Sequence, residues 1–115
     1  MGFRVRLCLA AALCALGLGG AAQGSETRDT VARKFGEAFA LADRCPSLKA
    51  NTTRMGAYTA LLGLKVDATF ESVMTVWRNR TLTELVEASD ADACSLGQMR
   101  YGAKGSEGPG LLNGG

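Results

Sequence analysis

Between Thr27 and Arg44 the apolar residues Val31, Phe35, Ala38 and Ala42 fall at i, i+4, i+7 and i+11, which is one face of an α-helix. Cys45 prolongs the same stripe, so its side chain is expected on the buried side near the helix end. Pro46 stops that helix, because its ring disfavours helical geometry in the residue before it. Ser47 is expected to cap a second helix with Leu48, Met55 and Leu62 on its inner face, and Gly63 to end it in a left-handed turn. After Lys65 to Asp67, a cap at Asp67 or Thr69 predicts a third helix over TFESVMTVWRNRTLTELVEA. Its Phe70, Met74, Trp77, Thr81 and Leu85 keep a helical period, and Val73, Val76 and Leu82 widen the stripe. Asn79, Arg80 and Thr81 are weaker helix formers and mark a candidate kink or break. Ser89 or Asp90 can cap a fourth helix, DADACSLGQMRY, with Cys94 and Tyr101 on one face.

Past Tyr101 the pattern stops. The last 14 residues, GAKGSEGPGLLNGG, hold six glycines and a proline. Apart from Leu111 and Leu112 they offer too little apolar area to offset the entropy of ordering them, so residues 102–115 are expected to be an extended or disordered flexible tail. No segment alternates long enough to read as a strand, and no internal repeat is present. The expected fold is all-α: a small antiparallel four-helix bundle over residues 23–101, with the Gly-rich tail after it.

The first 22 residues stand apart. Arg4 and Arg6 precede an apolar run from Leu7 to Leu18, followed by small residues around Gly20 and Ala22. That order is a secretory leader with a cleavage site after Ala22, and the run is shorter than the roughly 20 residues of a spanning helix. An uncleaved anchor is the alternative. Removing the leader takes Arg4 and Arg6 from the 13 Lys and Arg of the chain, leaving 11 against 11 Asp and Glu. The mature surface is then close to neutral, which argues against nucleic acid and against an anionic membrane as partners. Cys8 and Cys14 leave with the leader, and Leu7 and Leu13 before them do not suit a lipid-attachment site. Cys45 and Cys94 remain, and in an oxidising compartment a disulfide between them is the default.

Catalytic and cofactor chemistry finds little support. The chain has no histidine, which removes the commonest general base and metal ligand. It also lacks C-x-x-C, C-x-x-C-H and a phosphate-loop motif, and two cysteines with scattered carboxylates do not make a zinc set. Asp90 with Asp92, or Glu84 with Glu87, can be set as an acid and base pair, but the same spacing describes solvated helix positions and a cap. We therefore expect no enzyme, cofactor or metal. Phe70, Met74 and Trp77 form a candidate ligand pocket between helices, with ordinary core as the alternative. Arg78 and Arg80, beside Arg44 or Arg100, form a candidate anion patch, the alternative being pairing of Arg78 with Glu71 or Glu84. Asn51 and Asn79 each open an N-x-[ST] triplet, a glycan acceptor in a eukaryotic secreted protein.

With DRCPSL at the end of the first helix and ACSLGQMRYGAKG near the carboxyl terminus, residues 31–112 resemble the uncharacterised single-disulfide periplasmic proteins of Gram-negative, particularly alphaproteobacterial, genomes. That resemblance implies a Cys45–Cys94 bridge and a periplasmic address, and brings no catalytic residue. The two N-x-[ST] triplets keep a secreted eukaryotic source open. The expected role is a non-catalytic binding or protein-interaction module with a protein partner in the periplasm or extracellular space. An acid-activated periplasmic chaperone and an enzyme inhibitor are the alternatives.

Overall fold

A computed structural model describes residues 28–114. The expected leader, with Cys8 and Cys14, lies outside the described residues. Helix α1 covers residues 28–44. It is followed by strand β1 (Leu48–Ala50), α2 (Thr52–Leu61), α3 (Ala68–Glu84), α4 (Asp90–Tyr101) and strand β2 (Leu112–Gly114). The fold is therefore mostly helical, as expected, with a small two-stranded sheet in addition.

Helix α1 is the central element. Val31, Phe35, Ala38 and Leu41 on it are all buried, as is Cys45 just beyond its end. Phe35 meets Tyr58 of α2 and Phe70 of α3 edge to ring, at centroid distances of 6.3 and 6.0 Å. Gly36 lets α3 approach: a Cβ there would stand 2.4 Å from the Met74 carbonyl oxygen and 2.9 Å from the Arg78 nitrogen. Three cations of α1 make polar links, two of them to the ends of α3. Arg28 reaches Asp67, the residue whose carboxylate caps α3 through the Phe70 N–H. Arg44 donates to the carbonyls of Leu85 and Ala88 just past the end of α3, where a cation complements the orphan carbonyls and the helix dipole. Arg33 pairs with Glu37 one turn on and with Glu107 of the C-terminal segment.

The second helix starts later than its sequence suggests. Leu48, expected on its inner face, is in β1, and the cap is Asn51, whose Oδ1 accepts the Arg54 N–H. The Nδ2 of the same amide donates to the Gly110 carbonyl and to Asn113 Oδ1, so a glycan on that nitrogen, which keeps a single N–H, would cost at least one of these bonds. Gly63 does end the helical turn at φ +66°. Helix α3 runs unbroken through Asn79, Arg80 and Thr81, and Ser89 caps α4 as expected. Leu62 and Val76, placed on inner faces by periodicity, are exposed.

The C-terminal segment departs most from expectation. Residues 102–114 are not a free tail: they fold back over α4, and β2 pairs antiparallel with β1, Leu112 opposite Ala50. Leu111 and Leu112 enter the core at 1% and 3% exposure. The glycines make this possible. Gly105 has room only for hydrogen, with a Cβ 2.3 Å from the Arg100 carbonyl oxygen, and Gly97 of α4 opens space that Leu48 and Leu112 fill.

Candidate functional site

Asn51 and Asp67 set where α2 and α3 begin, and α1 passes beneath both. Between the three helices lies an apolar groove of about 390 Å³. Phe35 and Phe39 of α1, Met55 of α2, Phe70 and Met74 of α3 and Val66 from the α2–α3 connection line it. Phe35, Met55 and Phe70 are its buried floor, whereas Val66 is half exposed at its edge. The polar lining is sparse: the hydroxyls of Thr52 and Thr59 and the carboxylate of Glu71. Thr59 already spends its hydroxyl proton on the Gly56 carbonyl. A mostly apolar depression with a few polar groups is the ordinary form of a ligand site.

Of the expected pocket, the structure brings Phe70 and Met74 into this groove and leaves Trp77 out of it. Trp77 borders a separate, smaller depression with Asp29, Thr30, Arg33 and Val73. One turn along α3 from Met74, it has rotated past the groove onto the outer side of α1. The guanidiniums of Arg80 and Arg33 lie over its ring at 4.9 and 6.0 Å from the centroid. Arg78 and Arg80 are likewise not one anion patch. Arg78 bonds Asp43 at 2.6 Å, a partner on α1 and not Glu71 or Glu84, and packs over Phe39, while Arg80 turns to Trp77. Residues 78 and 80, two apart, point to different sides of a helix, so their closeness in the chain does not place their charges together.

Cys45 and Cys94 are bonded, with Cα atoms 4.9 Å apart. Cys45 is fully buried, and the Ser47 hydroxyl lies 3.3 Å from its sulfur. The residue is a structural junction between the end of α1 and the first half of α4. Among the described residues no three His, Cys, Asp or Glu side chains converge as a metal site. No helix among them is long and apolar enough to cross a membrane.

No family model, curated protein or solved structure matches the chain. The chemistry of the site therefore rests on its own geometry.

One buried polar cluster lies on the far side of α1 from the groove. The Tyr101 hydroxyl, wholly inside the protein, donates to Glu37 Oε1, which also accepts from Arg33 at 3.2 Å. Burial pushes the Tyr101 phenol well above its ordinary range, and the hydrogen bond to Glu37 and that carboxylate's charge push it further. The unfolded chain releases this proton from about pH 10 upward while the folded protein retains it, so unfolding gains from alkali. The contribution of Tyr101 to stability should accordingly be level below about pH 10 and fall above it. A Tyr101→Phe variant should lose about 1 to 3 kcal/mol at neutral pH, because Glu37 is left with Arg33 alone, yet show a shallower alkaline decline. Melting curves of both proteins from neutral pH into the alkaline range test this, Tyr58 being common to the two. Parallel declines would show that Tyr101 does not carry the effect.

Periodicity had placed Phe35 and Met55 on inner faces, but not beside one another. Phe39, Gly56, Val66 and Glu71 carried no signal in the chain. A groove is the gap among three helix faces, and helical spacing describes each face singly.

Proposed function

We propose that this protein is a small exported, non-catalytic binding module, a disulfide-stapled helical bundle whose groove between α1, α2 and α3 receives an apolar group of its ligand or protein partner. The groove itself supports this reading: five apolar side chains from three helices, and Val66 from the α2–α3 connection, border about 390 Å³ that the protein's own described residues leave unfilled. The lack of histidine argues for binding over turnover, and the leader-like first 22 residues together with the disulfide argue for export. Nucleic acid is a poor partner for a surface so near neutrality.

The uncharged fluorophore N-phenylnaphthylamine is a direct probe. Its emission should rise saturably on titration with the oxidised protein. Val66 is half exposed, so Val66→Asp should leave the melting temperature within a few degrees of wild type, yet weaken binding about tenfold by placing a carboxylate at the apolar edge. No saturable signal, or equal binding by the variant, would exclude the groove as the site. Suppression of client aggregation at about pH 3, with loss of helical dichroism, would favour the acid-activated chaperone instead.

A further inference from the structure

Three glycines sit inside helices, and two have a packing reason. A Cβ on Gly36 would strike the backbone of α3, and one on Gly97 would come within 2.7 Å of the Leu48 side chain. Gly56 has no such reason: nothing lies within 4 Å of where its Cβ would be. A glycine in mid-helix costs stability relative to alanine, so the position gives up helix strength without any return from internal packing. What it provides is room. Thr52, Met55, Gly56 and Thr59 recur at helical spacing as the α2 wall of the groove, and Gly56 is the gap in that wall.

The groove's charge indicates what enters. Glu71 is the one ionisable residue lining it, it is exposed, and it forms no ion pair among the described residues. Asp67, the nearest carboxylate before it in the chain, is occupied by Arg28 and by the Phe70 N–H. An anionic ligand would be repelled at this rim, a neutral one would gain only apolar contact, and a cation would gain both. The volume lies at the small end for ligand sites, and the unbranched, adaptable side chains of Met55 and Met74 suit a flexible chain. We propose, building on the groove as the binding surface, that it is a site for a small cationic amphiphile. The aliphatic chain lies in the space left by Gly56, and the ammonium group meets Glu71.

Octylammonium, octanol and octanoate share one chain and differ in head group. Titrated calorimetrically into the full-length oxidised protein at neutral pH and low salt, octylammonium should bind about fivefold more tightly than octanol and about tenfold more tightly than octanoate. Glu71→Gln should bring octylammonium level with octanol. Gly56→Leu should abolish binding of all three by filling the groove, while leaving the melting temperature equal or higher, since leucine is the better helix former and its Cβ has nothing within 4 Å. Equal binding of the three head groups overturns the cation site but leaves the groove reading standing, whereas no binding of any overturns both. Binding that survives Gly56→Leu places the site elsewhere and overturns the proposal. So does a dimer in light scattering that Gly56→Leu dissociates, which makes a second copy the occupant.

Discussion

Reduction of the Cys45–Cys94 disulfide should lower the melting temperature by about 15 to 30 °C. The bridge joins residues 49 apart, and closing a loop of that length in the unfolded chain is worth roughly 4 kcal/mol in the chain-entropy account. For a domain of this size each kcal/mol moves the midpoint by about 4 to 8 °C. Total stability in such domains is about 5 to 15 kcal/mol, so the bridge is a large fraction of it. Location adds to the effect. Cys45 is completely buried, and β1 begins only three residues later, so freeing this junction also loosens the path into α2 and its groove wall. Differential scanning calorimetry with and without dithiothreitol, and of a Cys45→Ala, Cys94→Ala double variant, should give closely similar losses. A midpoint that moves by less than about 3 °C in both would show that packing alone holds the two ends together.

Deleting residues 111–115 should be about as damaging. The truncation removes Leu111 and Leu112 from the core, and a buried leucine cut to alanine costs about 2 to 5 kcal/mol. It also deletes β2 and the Leu111 carbonyl that accepts the Asn51 N–H, leaving β1 as an unpaired edge. Leu48 and Gly97, which Leu112 now covers, would face water. Urea denaturation should place the midpoint of the truncated chain far below wild type, with Leu111→Ala and Leu112→Ala individually between the two. A wild-type midpoint in the truncated protein would mean that the segment rests on the core without contributing to it.

The helices were legible in the chain to different degrees. Asp67 and Ser89 cap where their short acceptor side chains suggest, and Gly63 ends α2 with the positive φ that glycine permits. The inward stripe of Val31, Phe35, Ala38 and Cys45 was readable because α1 is covered on that face along its length. Leu62 and Val76 were misread for the converse reason: helical periodicity reports which residues share a face, not whether another element covers it. The start of α2 moved from Ser47 to Asn51 because β1 intervenes, and a three-residue strand is too short to show an alternation. Pairing with a segment 62 residues away in the chain is what makes it a strand.

The candidate site divides along the same line. Cys45 and Cys94 could be paired by counting once Cys8 and Cys14 were set aside with the leader-like segment, since two cysteines admit one bridge. Phe70 and Met74 share the groove because they are four residues apart on α3, whereas Trp77 and the two arginines left it within a turn. The sequence by itself determined four helices with most of their ends, the inward face of α1, and the identity of the covalent staple, all of which depend on neighbours within a few turns or on a count. Only the tertiary structure decided that the glycine-rich segment is part of the core, that Arg44 closes the end of α3, and that Gly56 and Glu71 face one groove. Each of these is a contact between residues far apart in the chain, whose energy exists only once α1 has brought the other elements together.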